Sequence, residues 1–299
     1  MKRLLAILAL LLVGLLVYQQ TTGERLLIAT TTSLYETGLL QALANEYEKE
    51  SGIRIHFIPL GTGQALEFAK KGDVDGVIVH APPLEEKFLL ENHGIGRKIF
   101  AYNFFFIVGP ASDPAHVRGE NLLTALHQIA EAGKRGKATW VSRGDNSGTH
   151  FKELNLWKLA GVKVGGEWYI ETGSGMSNTL RIASEKGAYT LTDAGTYLAL
   201  REKQQIKLEV MVSEDKNLLN VYSIIGVRKS HKINRVMDLA RFLVSEKGQK
   251  LISNFKGGGL FYPAVPVLRE NSNLGRWIKE VGFLRFENEL WECPSPYQI

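Results

Sequence analysis

The chain has 299 residues, 44% apolar and 22% charged, which is enough for two lobes of ordinary size and is the composition of a folded globular protein rather than a disordered or fibrous one. The net charge is +5, and Lys2 and Arg3 account for two of it, so the chain after residue 23 carries +3 with no block of Lys and Arg of the kind that tracks a nucleic-acid backbone. A single cysteine, Cys293, excludes an intrachain disulfide and a cysteine-based metal site.

Taken in chain order, Met1-Lys2-Arg3 is a short basic start, Leu4 to Tyr18 is uncharged and almost wholly aliphatic, and Gln19 to Gly23 is a polar exit. This is the order of a secretory signal. Fifteen residues of helix rise about 22 Å, short of a bilayer core of about 30 Å. The run is nevertheless long for a signal, and no small-x-small cleavage site follows. Residues 1–23 are therefore expected to be a signal peptide or an uncleaved N-terminal anchor, with residues 24–299 working outside the cytoplasm. No cysteine sits just after the apolar run, so lipid anchoring through a lipobox cysteine is excluded.

From Glu24 the pattern alternates between short β-rich runs and helical periods. Arg25–Ala29 reads as a strand. Gly38–Glu50 reads as a helix with Leu39, Leu40, Leu43, Ala44 and Tyr47 on one face. Ile53–Leu60 is a strand, Gln64–Lys71 a helix stopped by Gly72, and Val74–His80 a strand. The β-α-β-α-β order implies a parallel sheet with helices on both faces. Lys98–Val108 is a long apolar strand leading out of this first lobe. A second lobe then reads as helix 120–132, strand 138–141, helix 148–160, strand 168–171, helix 177–186, strand 188–191 and helix 193–202. Tyr222–Arg228 is the return strand, and Val236–Glu246 and Gly248–Asn254 are helices that finish the first lobe. The aromatic-rich tail 275–299 is expected on the surface of that lobe. The fold class is thus α/β, with two doubly wound lobes, a central cleft and two chain crossings. The divisions are 24–107 with 222–299 for the first lobe and 108–221 for the second.

Ligands of open α/β sheets bind beyond the carboxyl ends of strands, at the helix N-termini that follow. Four such loops share one chemistry: Thr30-Thr31-Thr32-Ser33, Gly61-Thr62-Gly63, Ser142 to His150, and Thr172 to Ser177. Glycine permits close backbone approach, helix N-termini offer free N–H groups, and hydroxyls donate without bringing charge. Together these make an anion site built largely from neutral donors. The same residues are also the usual helix caps and turn formers, and one such loop alone would be capping. Arg143 is the only cation in these loops. It either faces an anion with two hydrogen bonds or pairs with Asp145, and the two roles are compatible.

The strings Thr30-Thr31-Thr32-Ser33, Gly61-Thr62-Gly63-Gln64-Ala65-Leu66, Asp73 to Pro82, and Arg143-Gly144-Asp145-Asn146-Ser147-Gly148-Thr149-His150 resemble the tungstate-binding proteins of tungstate ABC transporters. The similarity runs from about residue 25 to about residue 230. It implies the type II periplasmic binding fold, a tungstate ligand held as an oxyanion with no metal-cation ligands and no cofactor, and a membrane permease with its ATPase as partners. It also implies ligand contacts from Thr31, Thr32, Ser33, Arg143, Ser147 and Thr149. Thr62 and Ser177 join them by their place at strand ends. A monomer is expected.

Within the same fold, molybdate and phosphate are the rival ligands. Phosphate near neutral pH carries a proton and needs a buried acceptor, for which Asp145 is the candidate. A reading of another class is a hydrolase with Ser147 or Ser177 as nucleophile, His150 as base and Asp145 or Asp193 as orienting carboxylate. No G-x-S-x-G elbow, P-loop or helix-opening G-x-G-x-x-G is present. The histidines form no i,i+4 pair of the kind a zinc site uses.

Overall fold

The computed structural model describes residues 24–213 and 215–282. The expected signal or anchor at 1–23 and Cys293 lie outside the described residues. Among the described residues, no helix is long and apolar enough to cross a membrane.

The chain opens with β1 (Arg25–Thr31), which lies between β2 (Arg54–Leu60) and β3 (Gly76–Val79) and is parallel to both. Leu26, Ile28 and Ala29 are fully buried, so β1 reads as a near-continuous apolar run, as a covered parallel strand must. Between β1 and β2 come α1 (Thr32–Thr37) and α2 (Leu39–Ser51). All five residues expected on the inner face of the second helix are buried, and Gly52 closes it at φ 71°. The Thr30–Ser33 segment, expected as a loop, turns directly into α1. Thr31 caps that helix by accepting from the Leu34 N–H at 3.4 Å. Helix α3 (Thr62–Lys71) then leads to β3.

A further helix, α4 (Pro82–Leu90), starts on a proline pair. The pair looks like a breaker in sequence, but proline suits the first turn, where N–H groups have no helical partner.

Strand β4 (Gly94–Gly109) runs sixteen residues and belongs to both lobes. Its first half pairs antiparallel with β9 (Leu219–Val227) and its second half with β7 (Thr190–Asp193) and β8 (Glu209–Val212). β9 is also antiparallel to β3. The sheet of the first lobe is therefore mixed, not parallel throughout as expected. A return strand that re-enters the sheet beside its own exit strand runs against it.

The second lobe adds α5 (Leu122–Lys134), the parallel pair β5 (Trp140–Ser142) and β6 (Tyr169–Glu171), α6 (Gly148–Leu159), α7 (Met176–Lys186) and α8 (Ala194–Glu202). The chain ends in α9 (Ile233–Val244), α10 (Glu246–Asn254), the short edge strand β10 (Tyr262–Pro263), α11 (Ala264–Arg269) and α12 (Asn273–Val281). Through Ile278, α12 packs on Ile99, Tyr102, Leu219 and Val221 of the two crossing strands. The remainder of the tail lies outside the described residues.

The apolar core divides in the same way. One set of clusters draws on residues up to Phe104 and from Leu219 onward, and the other on Phe105 to Leu218. Between them the two crossing strands carry a buried polar network. Asn103 and Asn220 are cross-strand partners, and Asn220 Nδ2 donates to Asn103 Oδ1 at 2.9 Å and to the Tyr222 hydroxyl at 2.7 Å. Every donor here finds an acceptor, which fixes how the two strands cross.

Candidate functional site

The lobes meet along the loops that follow β1, β2, β3, β5 and β7. Gly148, the first residue of α6, packs on the first lobe. A Cβ built there would lie 3.0 Å from Thr62 Oγ1 and 3.3 Å from His80 Cε1. At Gly195 in α8 a Cβ would lie 3.4 Å from Thr37 Cγ2. An added methyl group would be crowded at Gly148 and in ordinary contact with Thr37 at Gly195. The lobes are closed on each other.

Thr62 Oγ1 on the first lobe and Thr149 Oγ1 on the second are both fully buried and have no hydrogen-bond partner. Thr149 follows Gly148, which packs on Thr62, so the two residues belong to one junction. A buried hydroxyl without a partner costs about 1–3 kcal/mol, so two at one junction need a reason.

The capping hydroxyls add donors. Thr31 Oγ1 accepts from the Leu34 N–H and from Ser33 Oγ at 3.5 Å, and Ser147 Oγ accepts from the His150 N–H at 3.3 Å. A hydroxyl that caps in this way spends a lone pair and keeps its hydrogen to donate. Thr31, Ser33 and Ser147 are buried, while Thr32 is half-buried in the first turn of α1.

Arg143 is 2% exposed. Its Nε and Nη2 donate to one oxygen of Asp145, Oδ2, at 3.1 and 2.5 Å, while Asp145 Oδ1 accepts from the Ser147 N–H at 3.1 Å. The other terminal nitrogen, Nη1, has no partner among the described residues. Its charge is felt by His80, His150 and Asp193, and so lies centrally among the loops.

The histidine tautomers follow from their partners. Asn220 donates through its nitrogen, so the oxygen it turns to His80 accepts from Nδ1–H at 2.9 Å, and His80 Nε2 is a bare lone pair. Burial, with Arg143 and Lys152 nearby, pushes His80 down to about 4, so it is neutral. His150 is the reverse: Nδ1 accepts from the Asn146 N–H at 3.1 Å, which leaves Nε2–H a buried donor without a partner. Burial first, and Arg143 in addition, lowers its pKa.

Asp193 ends β7 and caps α8, accepting from the Thr196 N–H and hydroxyl at 2.8 Å each. Burial raises its pKa against these donors and the Arg143 charge.

Two expected features take other roles. In the fourth loop, Thr172 Oγ1 contacts the carbonyls of Ser142 and Arg143 at 3.2 Å and Thr179 Oγ1 at 3.0 Å, so its hydroxyl braces the Arg143 backbone instead of opening to the cleft. Ser177 Oγ donates to Glu36 Oε2 at 3.0 Å across the mouth between α1 and α7. Its partner is thus a carboxylate of the opposite lobe. Residue-level reading passed over His80 and the donor on His150. The signal for His80 was its place at the end of β3, where the strand-end rule puts a functional loop.

The hydrolase geometry is absent at the named residues. Ser147 Oγ accepts from the His150 backbone, His150 Nδ1 is occupied by Asn146 N–H, and Ser177 is bonded to Glu36. Among the described residues no cluster of His, Cys, Asp or Glu is arranged to hold a metal cation.

The chain is similar to known binding proteins over most of its length. The PBP superfamily domain matches residues 17–247. The tungstate-binding protein TupA of Peptoclostridium acidaminophilum is 39% identical over 288 residues, covering 88% of this chain and 99% of that protein. Among solved structures, the tungstate-binding protein TupA from Desulfovibrio alaskensis G20 superposes with a TM-score of 0.70 at 40% identity, over 80% of this chain and 98% of that one. The tungstate ABC transporter structure from Geobacter sulfurreducens gives a TM-score of 0.70 at 42% identity, over 78% of this chain and 99% of that one. The chain belongs to the PBP superfamily, with the type II periplasmic binding fold, and groups with these binding proteins of ABC transporters. It is a binding protein and not an enzyme.

Proposed function

We propose that this PBP-superfamily chain is the solute-binding component of an ABC importer and captures tungstate as an intact tetrahedral dianion in the cleft between its lobes. The carrying observation is the pair of buried, unpartnered hydroxyls, Thr62 Oγ1 and Thr149 Oγ1, contributed from opposite lobes at the Gly148 junction. Thr31, Ser147, the His150 Nε2–H and the Arg143 Nη1 extend this donor set, Ser33 supports it through its hydrogen bond to Thr31, and Thr32 and Ser177 stand at its edge. Burying a dianion is favourable only where hydrogen bonds replace its hydration. One guanidinium and a shell of neutral donors do this, and no cofactor enters.

The carboxylates of the site serve to position its donors, and preference for a fully ionised anion over phosphate rests on the similarity to tungstate-binding proteins. Both oxygens of Asp145 are engaged, by Arg143 and by the Ser147 N–H, and both oxygens of Asp193 are engaged by Thr196. Each is thereby committed to holding neighbouring donors in place, though its oxygens keep further lone pairs. The sequence similarity to tungstate-binding proteins favours tungstate over molybdate.

In this reading residues 1–23 direct the chain out of the cytoplasm, and the closed form is what a membrane permease and its ATPase recognise. Ligand binding selects the closed form through donors that only closure brings together. Isothermal titration of residues 24–299 with tungstate, molybdate, sulfate and phosphate tests this. Tight binding of tungstate and none of phosphate is expected. Heat from phosphate alone, or from none of the four, removes the proposal.

A further inference from the structure

Helix α1 has different contacts at its two ends. Thr31, one of the proposed ligand donors, caps its start and is buried. Its last two residues, Glu36 and Thr37, meet the second lobe. A Cβ built on Gly195 would lie 3.4 Å from Thr37 Cγ2 and 3.4 Å from Phe261 Cζ, so the first turn of α8 is seated on the first lobe here. Beside this contact Glu36 Oε2 accepts from Ser177 Oγ at 3.0 Å. The two residues are 141 positions apart and belong to opposite lobes, so the bond forms only when the lobes are together.

A carboxylate is an unfavourable neighbour for a cleft that takes a dianion, because like charge opposes its approach. What Glu36 meets across the junction accounts for its place. Ser177 is the second residue of the eleven-residue helix α7, whose N-cap is Gly175, without a side chain to hold the first N–H groups. The start of a helix favours negative charge, and here the opposite lobe supplies it.

The same turn of α7 is tied to the arginine. Thr179 Oγ1 lies 3.0 Å from Thr172 Oγ1, which contacts the Ser142 and Arg143 carbonyls at 3.2 Å. The Glu36–Ser177 bond therefore joins the helix that begins at Thr31 to the helix that braces the Arg143 backbone.

We infer that the Glu36–Ser177 hydrogen bond is a latch between the lobes, a positioning pair that touches no ligand and slows release of the bound anion by holding α1 and α7 together. This rests on the tungstate reading of the cleft and adds to it the contact that keeps the closed form shut. It assigns the Ser177 hydroxyl to Glu36 and not to the anion.

The test is a double-mutant cycle of Glu36→Ala, Ser177→Ala and the two combined, read by stopped-flow release of tungstate. Glu36 is exposed and Ser177 half-buried, and melting curves check that all three variants fold. Each single variant is expected to release about three- to tenfold faster, the worth of one charge-assisted hydrogen bond at a partly exposed site. The combined variant should release no faster than either, because both changes remove the same bond. Release is the readout because loss of the Glu36 charge also speeds association of an anion. Wild-type release rates in the single variants overturn the inference. So do effects that add in the combined variant, which would make Ser177 a ligand donor in its own right. If the wild type binds no tungstate, the reading of the cleft falls and the lobes themselves decide the latch. Spin labels at the exposed positions Lys71→Cys and Lys186→Cys, in a Cys293→Ser chain, report their separation without ligand. The closed population should fall equally in all three variants, and an unchanged population overturns the inference.

Discussion

Arg143 presents two nitrogens to a single oxygen of Asp145, at 3.1 and 2.5 Å, and the second Asp145 oxygen holds the Ser147 N–H. One carboxylate thus fixes both the only cation of the strand-end loops and the first turn of α6. The arginine is held from one side, through Nε and Nη2. A fork held in this way loses little freedom when an anion arrives.

Arg143→Ala is expected to weaken tungstate binding by about 1.5–3 kcal/mol, the range for a hydrogen bond to a charged group, or about ten- to a hundredfold in Kd. Asp145→Ala should also weaken binding, by less, because the guanidinium remains but is no longer held. Titration calorimetry on both variants checks this. Tighter binding in Asp145→Ala would make the aspartate a competitor for the arginine and not its holder.

Thr62→Val and Thr149→Val should act with opposite signs on stability and on binding. Each removes a buried hydroxyl that has no protein partner, so the ligand-free protein should melt at the same temperature or slightly higher. Each also removes a proposed ligand donor, so tungstate affinity should fall by about 1 kcal/mol or more. A lower melting temperature with unchanged affinity would mean the hydroxyls serve the fold.

Gly148→Ala places a methyl group 3.0 Å from Thr62 Oγ1 and 3.3 Å from His80 Cε1. The lobes would then stop short of full closure. Stopped-flow kinetics should show faster ligand release, about tenfold or more, with association little changed, since affinity differences within one site appear mainly in release. An unaltered release rate would show that this contact is not part of closure.

Glu153 gives a pH signature in the second lobe. It is 1% exposed, accepts from Trp140 Nε1 at 2.8 Å and the Tyr169 hydroxyl at 2.6 Å, and is raised by burial to about 7. A carboxyl whose folded pKa lies above its unfolded value binds more protons in the folded state. Its contribution to stability is full below the unfolded pKa of 4.5 and is lost as pH rises through about 7. Glu153→Gln keeps an acceptor for Trp140 and Tyr169 and removes the titration. Denaturant unfolding from pH 4.5 to 8 should show the wild type losing stability relative to the glutamine variant, on the order of 3 kcal/mol across the window. Parallel curves would place the Glu153 pKa near that of an ordinary carboxylate.

The sequence determined the local order of this protein. Helical and strand periods are written in neighbouring residues, which is why the buried face of α2, the Gly52 and Gly72 stops and most strands were legible from apolar spacing. The strand-end loops were legible too, because Thr, Ser and Gly at those places reflect capping and close approach, both local effects. Periodicity does not carry direction, so the antiparallel entry of β9 beside β4 was decided by the tertiary fold. The fold also decided which hydroxyls are spent and which are spare. Thr172 turns to the Ser142 and Arg143 carbonyls about thirty residues away, Ser177 to Glu36 in the other lobe, and Thr62 to no partner at all. His80 entered through Asn220, 140 residues away, which sets its tautomer. Whether a donor is free depends on every neighbour that packs around it, and those neighbours are assembled only when the two lobes fold and close.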